Sequence, residues 1–172
     1  SAFTTPRTVP LTGVGPTNVT LTAGTAFTVA TAPATGATLI NALDNNTVDY
    51  PAAGTDILVL SGTDTDGNAF STNFVVNAAT TVQNLIDALN PEYDGAVVSL
   101  NANGELVVTA NATGPVALAL TITDRVANTG QTTFPTMNTT DDGLGGSRQT
   151  LQTATALTTG GGGANAGLAT GL

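Results

Sequence analysis

The chain has 172 residues, a formal net charge of −9, no Cys, no His and only 9% charged residues. Such a balance offers no basic footprint for releasing counterions from nucleic acid, and an anionic membrane surface would repel it. Without Cys or His there can be no disulfide framework, thiolate or imidazole metal site, or Ser-His or Cys-His nucleophile.

The cations are Arg7, Arg125 and Arg148, so solubility rests on Thr, Asn, Gly and the acidic side chains. Aromatic residues make up 4% with no Trp, and a core has to come from Val, Leu, Ile and a few Phe. No apolar run reaches the 18 or so residues of a membrane span, and no charged n-region with an apolar stretch follows the first residue. Thr, Gly and Asn richness with few cations suits a bacterial surface or secreted structural protein.

In chain order, Pro6, Pro10 and Pro16 with Gly13 and Gly15 predict an extended segment, and short strands are expected at 18–21 and 27–30, around Ala23-Gly24. Residues 1–34 thus read as an extended arm with short strands. A short helix is expected at 37–43, with Leu39, Ile40 and Leu43 on one face and Asp44-Asn45-Asn46 as its stop. From Asp56 the period changes to two. Strands at 56–62 and 69–76 flank Asp66-Gly67, a hairpin turn signal, and Phe70, Thr72, Phe74 and Val76 share one face of the second strand.

Thr80-Thr81-Val82-Gln83 then opens a helix, 81–89, whose Val82, Leu85, Ile86 and Leu89 recur at i, i+3, i+4 and i+7. Asn90-Pro91 ends it. Strands follow at 96–101, 105–110 and 116–123, the first two joined through Asn103-Gly104. Past Asp124 the pattern decays; Phe134 and Met137 are the last bulky apolar residues, and 141–172 reads as a Gly- and Thr-rich tail or linker. The expectation is an α+β fold, predominantly β: short amphipathic helices packed on a mostly antiparallel sheet spanning 35–140, with extended arms.

Few residues suggest chemistry. Asp64-Thr65-Asp66-Gly67-Asn68 has the look of a calcium loop, but counted from Asp64 its Gly stands fourth rather than sixth, and Val75 would occupy the twelfth place that needs a bidentate Glu. A turn whose Asp side chains satisfy backbone donors fits better, with incidental calcium at Asp64–Asn68 as the alternative. Glu92 and Glu105 are the only Glu residues, most Asp lie in turns, and no aromatic platform accompanies any carboxylate pair. Asn-x-Thr triplets at Asn18, Asn45, Asn111 and Asn138 follow from the composition. Tyr50 and Tyr93 read as edge packing near turns. No catalytic, cofactor-binding or metal residue is expected, and no enzyme.

Four segments occur in a fixed order: Gly36-Ala37-Thr38-Leu39-Ile40-Asn41-Ala42-Leu43; Ile57-Leu58-Val59-Leu60-Ser61-Gly62-Thr63-Asp64-Thr65-Asp66-Gly67; Thr80-Thr81-Val82-Gln83-Asn84-Leu85-Ile86-Asp87-Ala88-Leu89; and Val98-Ser99-Leu100-Asn101-Ala102-Asn103-Gly104-Glu105-Leu106-Val107-Val108-Thr109. Their order and spacing, over residues 36–137, resemble the central region of bacterial flagellar hook proteins. Related patterns occur in other flagellar axial proteins. The family also carries terminal heptad-bearing helices, and neither end of this chain has sustained a/d spacing. The resemblance therefore implies a surface-facing fragment of a longer structural protein, exported by the type III route and located outside the cell in the hook. Other copies of the same protein would be its partners, with neither nucleic acid nor membrane among them, and the isolated fragment would be monomeric. The alternative reading is a binding module of a surface adhesin, S-layer or phage tail fibre.

Overall fold

The structure is a computed structural model that describes residues 15–145. In chain order its strands are β1 (Asn18–Ala23), β2 (Thr28–Val29), β3 (Ala32–Pro33), β4 (Asn46–Val48), β5 (Asp56–Thr63), β6 (Ala69–Val76), β7 (Ala96–Leu100), β8 (Leu106–Thr113), β9 (Ala119–Asp124), β10 (Gln131–Thr132) and β11 (Met137–Asp141). A single α-helix among the described residues, α1 (Val82–Leu89), lies between β6 and β7. The fold is α+β and mostly β, as expected, with every named strand pair antiparallel.

Period-two patterning selects the inward faces. On β6 the even-numbered residues turn toward the interior while Ala69, Ser71, Asn73 and Val75 are exposed, the expected division. On β8, Leu106, Val108 and Ala110 are buried, and they meet Leu100, Val98 and Ala96 across the ladder to β7. Helix α1 begins with a reciprocal cap. The Thr81 hydroxyl accepts from the Asn84 N–H at 3.2 Å, and Asn84 Oδ1 accepts from the Thr81 N–H at 2.9 Å. Its stripe of Val82, Leu85, Ile86 and Leu89 is buried, each side chain contributing about 1.5–3 kcal/mol of transfer free energy. At Asn90 the chain tightens into a 3-10 turn, Asn90–Glu92, whose early positions tolerate Pro91's missing N–H.

Besides the two-stranded ladders β2-β3 and β10-β4, two larger sheets result, in the orders β11-β1-β8-β7 and β6-β5-β9. The hairpin β5–β6 sits in one and the hairpin β7–β8 in the other, and the flanking strands cross over. β1 precedes the first hairpin but pairs with β8 of the second; β9 follows the second hairpin but pairs with β5 of the first. One core joins both sheets and α1, built on Leu21, Leu58, Leu60, Val76, Leu85, Leu89, Leu106, Val108 and Leu120, with Phe27, Ile40 and Tyr50 completing it.

Three expectations need correction. Residues 37–43 do not form an α-helix; a 3-10 turn covers only Ile40–Ala42, and Leu39 is extended at ψ 141°. The backbone there pairs instead with the segment entering α1, through Ile40 N–H to Thr80 O at 2.9 Å and Val82 N–H to Thr38 O at 2.9 Å. A tertiary backbone partner overrides the local apolar spacing. Second, the 1–34 arm contains short strands in its described part, but β1 is an interior strand with neighbours on both edges. Third, the segment after Asp124 continues into β10 and β11, and β11 extends the sheet by pairing with β1. Residues 146–172 of the expected 141–172 tail lie outside the described residues, as do residues 1–14 of the arm.

Candidate functional site

The two principal hairpins close with the same device. In the β5–β6 turn, Asp64 Oδ1 accepts from Asp66 N–H at 2.9 Å and Asn68 N–H at 2.8 Å, and Oδ2 accepts from Asn68 Nδ2 at 3.1 Å. In the β7–β8 turn, Asn101 Oδ1 accepts from Asn103 N–H at 3.0 Å and Glu105 N–H at 2.9 Å, and Asn101 Nδ2 donates to Glu105 Oε2 at 2.7 Å. Each turn places a glycine three residues on, Gly67 at φ +82° and Gly104 at φ +79°, where an L side chain is strained. Hydrogen bonding from the Asn68 side chain, with further backbone donors, holds the Asp64 carboxyl below its ordinary range. Both Asp64 oxygens therefore serve the turn, the arrangement favoured over a calcium loop.

A third turn lacked any sequence signal. Between β2 and β3, Ala30 and Thr31 both have positive φ, 49° and 69°, the geometry of a type I′ turn made without Asn or Gly. Asp44 holds it from outside, accepting from Ala30 N–H at 2.8 Å, Thr31 N–H at 2.9 Å and Thr28 Oγ1 at 2.7 Å. These donors, the Thr31 N–H first, lower its pKa. Asp44 was expected to stop a helix; it braces a strained turn.

Polar side chains also fasten the loop after β9. Asp124 accepts from the Tyr50 hydroxyl at 2.7 Å, Asn128 Nδ2 at 3.0 Å and Thr132 N–H at 2.8 Å. Asp56, buried at the start of β5, accepts from Thr129 N–H at 3.1 Å and Gly130 N–H at 2.7 Å. Asn128 closes the ring, giving and taking a hydrogen bond with the Ile57 backbone at 2.8 Å each. Tyr50 and Tyr93 are core residues rather than edge packing. Burial pushes both hydroxyls well above the ordinary tyrosine range, so each remains a donor, Tyr50 to Asp124 and Tyr93 to Ala119 O at 2.6 Å. Among the described residues, no group of three or more acidic side chains is placed to hold a metal ion, and no helix is long and apolar enough to cross a membrane.

The concavities are shallow and uncharged or nearly so. The first, about 520 Å³, lies between α1, β7 and Pro33-Ala34-Thr35-Gly36, with Gln83 and Asn101 on its rim. Another of about 330 Å³ runs between β9 and the Phe134–Thr139 segment over Leu21, Leu120 and Ile122. Large apolar side chains on the surface are scattered, at Leu39, Val48, Val75, Val97 and Val126. The sheet edges form the remaining surface with directional potential: β6 and β9 on one sheet, β7 and β11 on the other.

The fold and its polar clusters define a predominantly β domain in which carboxylates and amides brace turns. No protein-family model and no curated protein matches the chain. Solved structures do match. The D1-D2-D3 domains of the flagellar cap protein FliD from Escherichia coli are 18% identical, with a TM-score of 0.36, over 83% of this chain and 41% of that one. The D2-D3 domains of FliD from Serratia marcescens are 17% identical, with a TM-score of 0.34, over 78% of each chain. This chain thus spans about two fifths of the Escherichia coli chain.

Proposed function

We propose that the chain is a non-enzymatic structural module of a bacterial flagellar axial protein, on the outer surface of the hook. The observation that carries the reading is the ordered series of four sequence segments shared in pattern with hook proteins. Two further features support it. Turn-bracing hydrogen bonds account for Asp44, Asp56, Asp64 and Asp124, and the described chain enters and leaves at one place. Thr17 N–H donates to Gly143 O at 3.2 Å, and β1 lies antiparallel to β11. Such a paired stem suits a module carried on a longer chain. In this reading copies of the module meet along the hook through small polar contacts between Thr- and Asn-rich faces. Scarce ion pairs let those faces slide as the hook bends.

Immunogold labelling of isolated hook–basal bodies, with antibodies raised against residues 15–145, tests the reading. Decoration along the hook is expected. Decoration restricted to the cell wall or to another flagellar segment would overturn the hook assignment. In the parent reading frame, heptad-bearing flanking helices are expected, whereas a wall anchor or tandem repeats would favour an adhesin.

A further inference from the structure

Sheet edges are where a folded chain can accept another strand, and natural edges are usually blunted by charge, proline or bulges. Three of the four edges of the two larger sheets are obstructed or short. On β7 the outward N–H and C=O of Val98 are taken by Asn90, at 2.9 and 3.1 Å. β11 has five residues, an irregular register against β1, Pro135 just before it and Asp141 at its end. β9 faces the groove bounded by Phe134 and Thr136. β6 is different: eight residues, in register with β5 throughout, and without charge or proline in a chain of net charge −9.

The hydrogen-bond phase of that edge follows from one contact. Arg125 N–H donates to Ile57 O at 3.2 Å, so the odd-numbered residues of β5 face β9 and its even-numbered residues face β6. By the β5–β6 register, Phe70, Thr72, Phe74 and Val76 direct their backbone groups inward to β5. Ala69, Ser71, Asn73 and Val75 therefore direct theirs outward, and nothing among the described residues pairs with them.

We propose that β6 pairs antiparallel with β6 of a second copy about a two-fold axis through Thr72. In that register Ala69 lies opposite the second copy's Val75 and Ser71 opposite its Asn73. All four outward-facing residues of each strand then fall in hydrogen-bonded pairs, and the match is the same from both sides, as a two-fold interface requires. On the other face Phe70 meets Phe74 of the second copy, and Thr72 meets Thr72. Both phenylalanines are only half-buried although they belong to the inward face, and a cross-strand aromatic pair would cover them. The product is a continuous six-stranded sheet. One strand pair is smaller than the roughly 1,600 Å² of a standard stable interface, so the association is weak in dilute solution and gains when copies are held together. The inference stands on the edge geometry and is independent of the flagellar reading.

The chain has no cysteine, so a single introduced thiol reports the register. Thr72 in the proposed pair lies opposite itself at a non-hydrogen-bonded position, about 4.5 Å between Cα atoms, within disulfide reach. Ala69 lies six residues from its own symmetry mate. Under mild oxidation of the full chain, Thr72→Cys is expected to give disulfide dimer in at least about tenfold greater yield than Ala69→Cys. Adding Asn73→Lys, an exposed edge charge, should bring the Thr72→Cys yield down to the Ala69→Cys level although it makes the chain less negative. Urea midpoints matching the unmodified chain would verify folding of each variant. Equal yields from the two thiols, or Thr72→Cys dimers insensitive to Asn73→Lys, would overturn the proposal.

Discussion

Asn90 closes α1 and the free edge of β7 with one side chain, and truncating it should cost more than its position on a helix end suggests. Its Nδ2 donates to Ile86 O and to Val98 O, each at 3.1 Å, and its Oδ1 accepts from Val98 N–H at 2.9 Å. Val98 is 2% exposed, so Asn90→Ala leaves its N–H and C=O with poor access to water. A buried polar group without a partner costs about 1–3 kcal/mol, and the bond to Ile86 adds about 0.5–1.5 kcal/mol. Alanine returns only a few tenths through helix propensity. The net expectation is a loss of at least about 2 kcal/mol, or roughly 6–10 °C or more in Tm for a domain of this size. Urea unfolding followed by circular dichroism should show a lower midpoint with unchanged m, and hydrogen exchange should show the Val98 amide losing protection beyond the global change. Asn90→Asp separates donors from acceptor: it can still accept from Val98 N–H but turns a carboxylate toward two carbonyls. Its folded pKa is then raised above the unfolded value, so its defect should grow as pH rises above about 4 and ease in acid. An Asn90→Ala variant within about 0.5 kcal/mol of the parent, with Val98 equally protected, would refute the reasoning.

Leu85→Ala, at 1% exposure in the α1 stripe, should lose about 2–5 kcal/mol in the same urea assay. The two turn glycines separate backbone strain from crowding. Gly67→Ala has open space around its new Cβ and should cost about 1–2 kcal/mol from positive φ alone. Gly104→Ala would additionally drive its Cβ into Phe27 O and close to Ala34 N, and its urea midpoint should fall further. Thr31→Gly should stabilise by about 1 kcal/mol, because a β-branched residue at φ 69° gives way to one that accepts it. Asp44, Asp64 and Asp141 have folded pKa values below the ordinary 3.8. Their stabilisation is complete above that value and is lost as pH falls through the lower folded pKa values, so stability should decline below about pH 4. Asp64→Asn, which copies Asn101, should flatten part of that acid limb in pH-dependent unfolding.

Elements carrying their own instructions were legible in the amino-acid order. Helix α1 has a cap, a four-residue stripe and a proline stop, and the alternation of β6 placed Phe70 and Phe74 on the correct face. The Asp66-Gly67 and Asn103-Gly104 turns announce themselves through the positive φ that glycine allows. What failed depends on distant partners. Residues 37–43 have helical spacing but bond to the Thr80–Val82 backbone. Met137–Asp141 has no apolar alternation because β11 is an outer strand held by backbone pairing to β1. Asp44 serves a turn thirteen residues earlier, and Asp124 gathers Tyr50 from across the chain; neither separation leaves a local pattern.

The crossed pairing of the two hairpins explains why the expected boundary at residue 34 does not behave as a boundary. Each hairpin alone is a two-stranded ribbon, which is marginal in water. β5–β6 gains its third strand from β9 and β7–β8 gains its third from β1, so neither sheet is complete until both flanks have arrived. The first half of the chain is thus stabilised by the second and the second by the first, and α1 lies between them on the shared core. β11 then pairs with β1, bringing the exit of the described chain back to its entrance. That stem and the free β6 edge lie on different sheets, so a neighbour that pairs with β6 leaves the β1–β11 and β1–β8 ladders in place.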